Sequence, residues 1–490
     1  MSLSAYPKAY GTAAITVAFL SGAILTLGFK DLYPDLEQRY QRNYRTSNKR
    51  RRQSTAAAAA VADSRRTSLF FMPPVELEDH ESDLGSSTAN LPARSPHPQP
   101  LVSGLEGTIG NTPLLELKSL SEATRRTIVA KAEFLNGAGG SPKDRVALSI
   151  LRAAEASGHL VPGRGDWVYE GTVGSTGISL ATLATALGYH AHIFMPDDQA
   201  VEKSNLLLAL GATVERVPLA PITDPNHFVN LARTRARLHA AKFKDGSHGF
   251  FADQFENEAN WKAHFETTGP EIQWQTGGRI EAFVCGAGTG GTISGVAKYL
   301  KEGMGKNSGR SEDGELSPGS ERPSMEGRDG KGDIKIVLAD PQGSGLYNKI
   351  KHGVMFSMTE REGTRRRQQV DSIVEGVGIT RLTHNFEVGR ELIDDAVRVT
   401  DEHAMKMAQW LVEHDGIFCG SSTAVNCVGA IKAAMMLPEG STVVTLLCDS
   451  GNRHLSKFWR LIKERKEEKQ EDLLGMLGID APPVWHDANS

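Results

Sequence analysis

Two short stretches carry residue types that could do chemistry. The first, "SPKDR" (residues 141–145), puts Lys143 in the opening turn of a helix that continues through "VALSILRAAEASG". Ser141 suits the N-cap, Pro142 the first helical position and Asp144 the capping-box position. Lys143 is left where the positive end of the helix dipole disfavours an ammonium. That dipole favours the neutral amine, the nucleophilic form a Schiff-base lysine needs. The plainer alternative is a solvated lysine whose small penalty is tolerated.

The second stretch, "GAGTGGT" (residues 286–292), follows the apolar run "EAFVC" and opens the helix "ISGVAKYL". The amides of such a loop, with the helix N-terminus, make an anion site. No GK[ST] sequence is present, which argues against a nucleoside triphosphate. Gly286, Gly288 and Gly291 fall at dinucleotide spacing, but no acidic residue follows at the usual distance on a second strand. With the hydroxyls of Thr289 and Thr292, the loop suits one compact phosphate. Glycine used for packing alone is the alternative. A reactive lysine and a phosphate cradle on separate strands together point to pyridoxal phosphate.

The elements that must position these groups alternate. Strands are expected at 127–134, 166–172, 190–196, 213–218, 333–341 and 442–451, helices at 144–158, 177–188, 202–212 and 401–416, and a strand, a glycine loop and a helix in turn over 279–301. That alternation argues for a parallel α/β architecture. Residues 303–333 have almost no apolar side chains and read as a disordered insertion. After Ile462, "KERKEEKQED" reads as a solvated charged helix and 466–490 as a charged tail. There is no internal repeat.

The whole chain has 490 residues, 39% hydrophobic and 23% charged, with a net charge of −4. That balance suits a soluble globular core and gives no nucleic-acid surface. Cys285, Cys419, Cys427 and Cys448 lie in apolar stretches without a CxxC, so buried thiols in a reducing compartment are expected rather than a disulfide framework. Residues 1–30 differ: "GTAAITVAFLSGAILTLGF" (11–29) is uncharged and just long enough to span a bilayer. Lys30 and a basic run from Arg39 to Arg52 follow, which by the positive-inside rule keeps the bulk of the chain in the cytosol. A mitochondrial presequence and a cleaved secretory signal are the rivals. Residues 31–100 read as a basic, low-complexity linker ahead of a catalytic domain at 101–465.

Five stretches in order, "GNTPLLELKSL" (110–120), "SPKDRVA" (141–147), "EGTVGSTGISLA" (170–181), "GAGTGGTISGVAKYLK" (286–301) and "CDSGNRHLSKF" (448–458), resemble the cysteine synthase family of fold-type-II pyridoxal-phosphate enzymes. That family includes O-acetylserine sulfhydrylase and the catalytic core of cystathionine β-synthase. With its N-terminal segment the chain is most similar to the fungal mitochondrial members. The resemblance implies a tryptophan-synthase-β-like fold: two parallel-rich α/β subdomains with the cofactor between them, here preceded by a single membrane-anchor helix. It implies a homodimer, anchored in the mitochondrial outer membrane with the catalytic domain facing the cytosol, or else held in the matrix after presequence cleavage.

The resemblance also assigns roles. Lys143 would carry the cofactor and move the substrate's α-proton; Gly288, Thr289, Gly290, Gly291 and Thr292 would cradle its phosphate. Ser450 would hydrogen-bond the pyridine nitrogen without holding it protonated, while the adjacent Asp449 points away by strand alternation. Thr172, Gly174, Thr176 and Gln254 would grip the substrate carboxylate, and Gly376 in "EGVG" (375–378) would lie beside the reacting centre. The implied reaction is β-replacement through an α-aminoacrylate, making cysteine from O-acetylserine and sulfide. Two departures stand out: Ser175 replaces the asparagine that usually bonds the cofactor's 3′-oxygen, and Val173 replaces a usual serine. They leave room for a catalytically impaired, membrane-tethered binding module. A condensation of serine with homocysteine is a second alternative, suggested by "ADPQGS" (339–344) and "EGVG". Against it, no cysteine precedes Cys285, and little chain follows the core. No metal ligand set is expected.

Overall fold

The computed structural model describes residues 101–199, 201–303, 334–355, 372–465 and 472–479. The expected anchor at 11–29, the linker at 31–100 and nearly all of the 303–333 insertion lie outside the described residues. Among the described residues no helix is long and apolar enough to cross a membrane.

The expected strands form, with three the sequence pattern did not reveal. They are β1 (Leu114–Glu116), β2 (Thr127–Ala132), β3 (Trp167–Gly171), β4 (His190–Pro196), β5 (Thr213–Val217), β6 (Gly249–Phe251), β7 (Ala282–Cys285), β8 (Lys335–Pro341), β9 (Asp395–Val399) and β10 (Thr442–Leu447). One sheet has the order β5-β4-β3-β6 and is parallel throughout. The other has the order β1-β2-β10-β7-β8-β9, parallel except for the antiparallel β1–β2 pair. Parallel strands are covered on both faces, which is why β10 reads as an unbroken apolar run and is buried at every position after Thr442.

Seven helices matter for the site: α1 (Lys143–Ala156), α2 (Ser175–Ala186), α3 (Val201–Ala209), α4 (Phe228–Phe243), α5 (Gly291–Glu302), α6 (Asp401–Asp415) and α7 (Ser421–Ala434). α1 and α2 bury Val146, Ile150, Leu151, Leu180 and Leu183 against one face of the four-stranded sheet. α4 covers its other face around Tyr169 and Phe194. The six-stranded sheet carries α5 on one face, through Ile293, Val296 and Leu300, and α6 and α7 on the other. Of the expected charged helix, Lys463 and Glu464 lie in the last turn of a described helix. It runs from Phe458 to Glu464, anchored by the buried Phe458, and residues 466–471 lie outside the described residues.

The topology puts the chemistry in one place. Thr172 follows β3 and Gln254 follows β6, and these strands are neighbours. Gly286 follows β7 and Ser450 lies just beyond β10, also neighbours. These four positions thus lie beyond the carboxyl ends of parallel strands, where open α/β sheets bind ligands.

Candidate active site

Lys143 is the first residue of α1, with Pro142 rather than Ser141 at the N-cap, so the helix starts later than the sequence suggests. Ser141 Oγ accepts from the Lys143 N–H at 3.3 Å, and Ser141 O accepts from the Asp144 N–H at 3.1 Å. The Asp144 carboxylate accepts from the Gly139 and Gly140 amides at 2.8 Å and from the Ser179 hydroxyl at 2.5 Å. The last bond ties the start of α1 to α2. In the structure, burial is the largest cause that lowers the Lys143 pKa, while Cys448, Cys285 and Asp449 pull it back up. Burial thus lowers the pKa in the same direction as the helix dipole would.

The ends of β7 and β10 flank this amine with thiols that burial keeps protonated. Cys285 is pushed well above the usual thiol range, and Cys448 up to about 12. Neither is a nucleophile in that state. All four cysteines are free.

The glycine loop is shaped as a phosphate cradle. Gly290 caps α5 in the left-handed region, with φ of 83°. A side chain at 288, 290 or 291 would collide with Gly376 O, Phe386 or Asn260 respectively, so the loop stays bare backbone. The first-turn amides of α5 have no intrahelical acceptor and are offered to a ligand. Thr289 and Thr292 are 5% and 8% exposed. Thr289 Oγ1 accepts from Asn260 Nδ2 at 2.9 Å, its carbonyl accepts from the Thr383 hydroxyl at 2.7 Å, and Thr292 Oγ1 meets His264 Nε2 at 3.1 Å. Burial, then the charges of Arg145 and Lys143, hold His264 well below the usual imidazole range. Its neutral ring adds no charge to the cradle. The Asn260 Oδ1 atom is buried with no protein partner. The loop amides and the Thr289 hydroxyl, whose proton is free, are donors that fit the phosphate of pyridoxal phosphate; Asn260 Oδ1, an acceptor, is not one of them.

On the other wall, Thr176 Oγ1 donates to Gln254 Oε1 at 2.6 Å, and Thr172 Oγ1 accepts from the Gly174 N–H at 3.3 Å. Thr172, Gly174, Thr176 and Gln254 therefore meet at the N-terminus of α2. Gly376 sits apart from them. Its carbonyl packs on Gly288, and Gly378 N–H donates to Ala287 O at 2.8 Å, so "EGVG" lies across the cradle. The same loop also touches the far wall. Glu375 pairs with Lys203 of α3 at 2.8 Å, and Lys203 Nζ reaches Val173 O at 3.4 Å.

Ser450 Oγ accepts from the Asn452 N–H at 3.3 Å, which leaves its proton free to donate. Asp449 does not point away. Its Oδ2 accepts from the Ser175 hydroxyl at 3.4 Å and faces His454 Nε2 at 3.1 Å, and its charge acts on Lys143. The alternation argument fails because β10 ends at Leu447, and beyond it the chain turns as Gly420 N–H bonds Asp449 O at 3.0 Å. Sequence reasoning missed Asp449 in this role, together with Asn260, His264 and Thr383. For the last three the sequence carries no signal: each is a single polar residue in a helical or turn segment with no motif of its own.

This is the arrangement of a cofactor enzyme, and comparison with known proteins gives its class. Residues 105–449 match the family model described as pyridoxal-phosphate dependent enzyme. The chain belongs to that family. Within it, the chain is 61% identical to cysteine synthase 2 of Neurospora crassa over 98% of this chain and 99% of that one. It is 53% identical to a candidate mitochondrial cysteine synthase of Saccharomyces cerevisiae, over 74% of this chain and 85% of that one. Among solved structures, the cysteine synthase of Entamoeba histolytica matches with a TM-score of 0.59 and 26% identity, covering 81% of this chain and 99% of that one. That likeness supports the fold-type-II architecture of two sheets expected from the sequence.

Proposed function

We propose that the chain is a cysteine synthase, replacing the acetate of O-acetyl-L-serine with sulfide to give L-cysteine. The observation that carries this reading is the convergence of a half-buried Lys143, whose pKa is lowered, and the bare-backbone cradle at 288–292. The near-full-length similarity to cysteine synthase 2 points to the substrates. When bound, pyridoxal phosphate supplies the carbonyl that takes up the substrate's amino group and the electron sink that acidifies its α-carbon.

The chain's own residues do the rest. The amides of Gly288, Thr289, Gly290, Gly291 and Thr292 hold the phosphate. The Ser450 hydroxyl donates to the ring nitrogen without protonating it, which suits an elimination whose leaving group takes the electrons. Ser175, whose hydroxyl donates to Asp449, would face the ring of the bound cofactor. Thr172, Gly174, Thr176 and Gln254 hold the substrate carboxylate, and Gly376 keeps the loop over the reacting centre narrow. Lys143 carries the cofactor and then takes the α-proton as its general base. Acetate leaves with the bonding pair, sulfide adds at the β-carbon, and Lys143 returns the proton.

The test is a donor-by-acceptor assay: O-acetylserine or serine, each with sulfide or homocysteine. Fastest turnover of O-acetylserine with sulfide is expected, whereas cystathionine as the main product would replace this reading. We further infer a catalytic domain at 101–465 that acts as a homodimer. We place it at mitochondria, anchored in the outer membrane by residues 11–29 with the catalytic domain in the cytosol. The uncharged run, its basic flank and the description of the yeast relative support this. Residues 1–60 fused to a fluorescent reporter should mark mitochondria. A diffuse cytosolic signal would remove the anchor, and import to the matrix would favour the presequence.

A further inference from the structure

Glu170 lies on β3 and is 0% exposed. A carboxyl in such a place is costly unless its oxygens are engaged. Gln254 engages both. Oε2 accepts from the backbone N–H of Gln254 at 3.3 Å, and Oε1 accepts from Gln254 Nε2 at 3.3 Å. The far end of that amide, Gln254 Oε1, accepts from the Thr176 hydroxyl at 2.6 Å. Gln254 and Thr176 are themselves buried, at 4% and 2% exposure. A hydrogen-bond chain thus runs from the interior of β3, through Gln254, to the first turn of α2.

This chain has a direction. The Gln254 amide carries two N–H donors on one end and an acceptor on the other. Turned over, it would aim its carbonyl oxygen at Glu170 Oε1, which in the carboxylate form can only accept, whereas the Thr176 hydroxyl could turn to accept from the amide donors. As a carboxylate, Glu170 therefore holds it one way round: one N–H of Nε2 goes to Glu170, and the second is left for a ligand. Burial, then the nearby Asp253, pushes the Glu170 carboxyl up to about 8, and the N–H bonds from Gln254 and Gly171 pull the other way.

We propose that Glu170 is a positioning residue for the substrate carboxylate, acting through Gln254 by fixing which end of that amide faces the Thr172–Thr176 loop. The proposal rests on the reading of Gln254 and Thr176 as the carboxylate grip. Glu170 touches neither substrate nor cofactor. It sets the donor pattern of a residue that touches the substrate.

The experiment compares two amines on the holoenzyme by the change in cofactor absorption. L-alanine carries a carboxylate and no leaving group. Ethylamine is the same molecule without the carboxylate. Glu170→Met keeps the side-chain size and removes both acceptors. It should weaken L-alanine by about tenfold, the loss of one buried hydrogen-bonded partner, and leave ethylamine within about twofold. Glu170→Gln keeps one acceptor of two and should fall between Met and wild type. Gln254→Met is the reference and should lose the alanine preference as well. If Gln254→Met loses the preference while both Glu170 variants keep it, the role of Glu170 is overturned. If Gln254→Met itself keeps the preference, the carboxylate-grip reading fails first, and the proposal with it. Where Glu170→Met does not fold, Glu170→Gln decides: an alanine preference equal to wild type overturns the proposal.

Discussion

Gly290→Ala tests the cradle most directly. The residue has φ of 83°, where a side chain costs about 1–2 kcal/mol. Its new methyl would also come within 2.5 Å of Phe386 Cβ, 2.6 Å of Phe386 Cα and 2.8 Å of Phe386 N. Two of those three atoms are backbone, so no rotamer change relieves the contact. Phe386 is 1% exposed, and its N–H bonds Thr383 Oγ1 at 3.1 Å, the hydroxyl that also holds Thr289 O. Overpacking at such a site adds about 1–3 kcal/mol, for a total of about 2–5 kcal/mol. A net stability of about 5–15 kcal/mol absorbs this, so the variant folds with a displaced loop. Gly416→Ala is the control. Its φ is 68° with nothing within 4 Å of the added methyl, so only the conformational cost applies. Urea unfolding of both variants without cofactor, and dialysis of the loaded proteins followed by absorption, provide the readouts. Gly290→Ala should be the less stable by about 1–3 kcal/mol and should lose cofactor on dialysis. Equal stability and equal retention would refute the packed-cradle argument.

Lys143→Ala should keep its thermal midpoint, because it removes an amine that burial disfavours, yet lose the absorption of lysine-bound cofactor and all turnover; retained activity would move the general base elsewhere. Asp449→Asn removes a charge that raises the Lys143 pKa, so the acidic limb of the rate profile should move to lower pH, and a shift to higher pH contradicts the geometry. Arg145→Met strands the buried Glu133, paired at 2.7 Å, leaves Glu271, paired at 2.6 Å, with Lys131 alone, and should cost about 3–5 kcal/mol in urea unfolding. Burial opposes it, but Arg145 and Lys131 together hold Glu271 below the ordinary carboxylate pKa. Its contribution is therefore complete above about pH 4.5 and is lost as pH falls below that value, so Glu271→Gln should flatten acid unfolding there; an unchanged acid limb refutes it.

The sequence was readable where periodicity was strong. β3, α2, β4 and α3 alternate in "DWVYEGTVGSTGISLATLATALGYHAHIFMP" and onward, and their observed bounds differ from expectation by a few residues. α7 was not readable. Thirteen of its 14 residues are buried, so "SSTAVNCVGAIKAA" has no polar face to give a helical period. Its small side chains serve close packing: a methyl on Gly429 would come within 2.5 Å of Ala339 Cβ. β1 and β6 were missed because three residues carry too few alternations, and β9 because Asp395 and Arg398 break up its three apolar residues. Within the site, motifs located Lys143, the cradle and the carboxylate loop. Asn260, His264, Thr383 and Glu170 act only through contacts across the fold, which spacing along the chain does not encode.

The lysine shows how the two kinds of information join. α1 packs with α2 on the four-stranded sheet, so that half of the molecule carries Lys143. The groups that act on its charge, Cys285, Cys448 and Asp449, stand at the ends of β7 and β10 in the other half. A helix N-terminus would bias the amine in any isolated α1, but only by a few tenths of a kcal/mol up to about 1 kcal/mol. Burial, which acts in the same direction, exists only when both sheets are in place around the amine. The reactivity of "SPKDR" is therefore a property of the cleft, and anything that spreads the two sheets apart returns Lys143 toward an ordinary, protonated lysine.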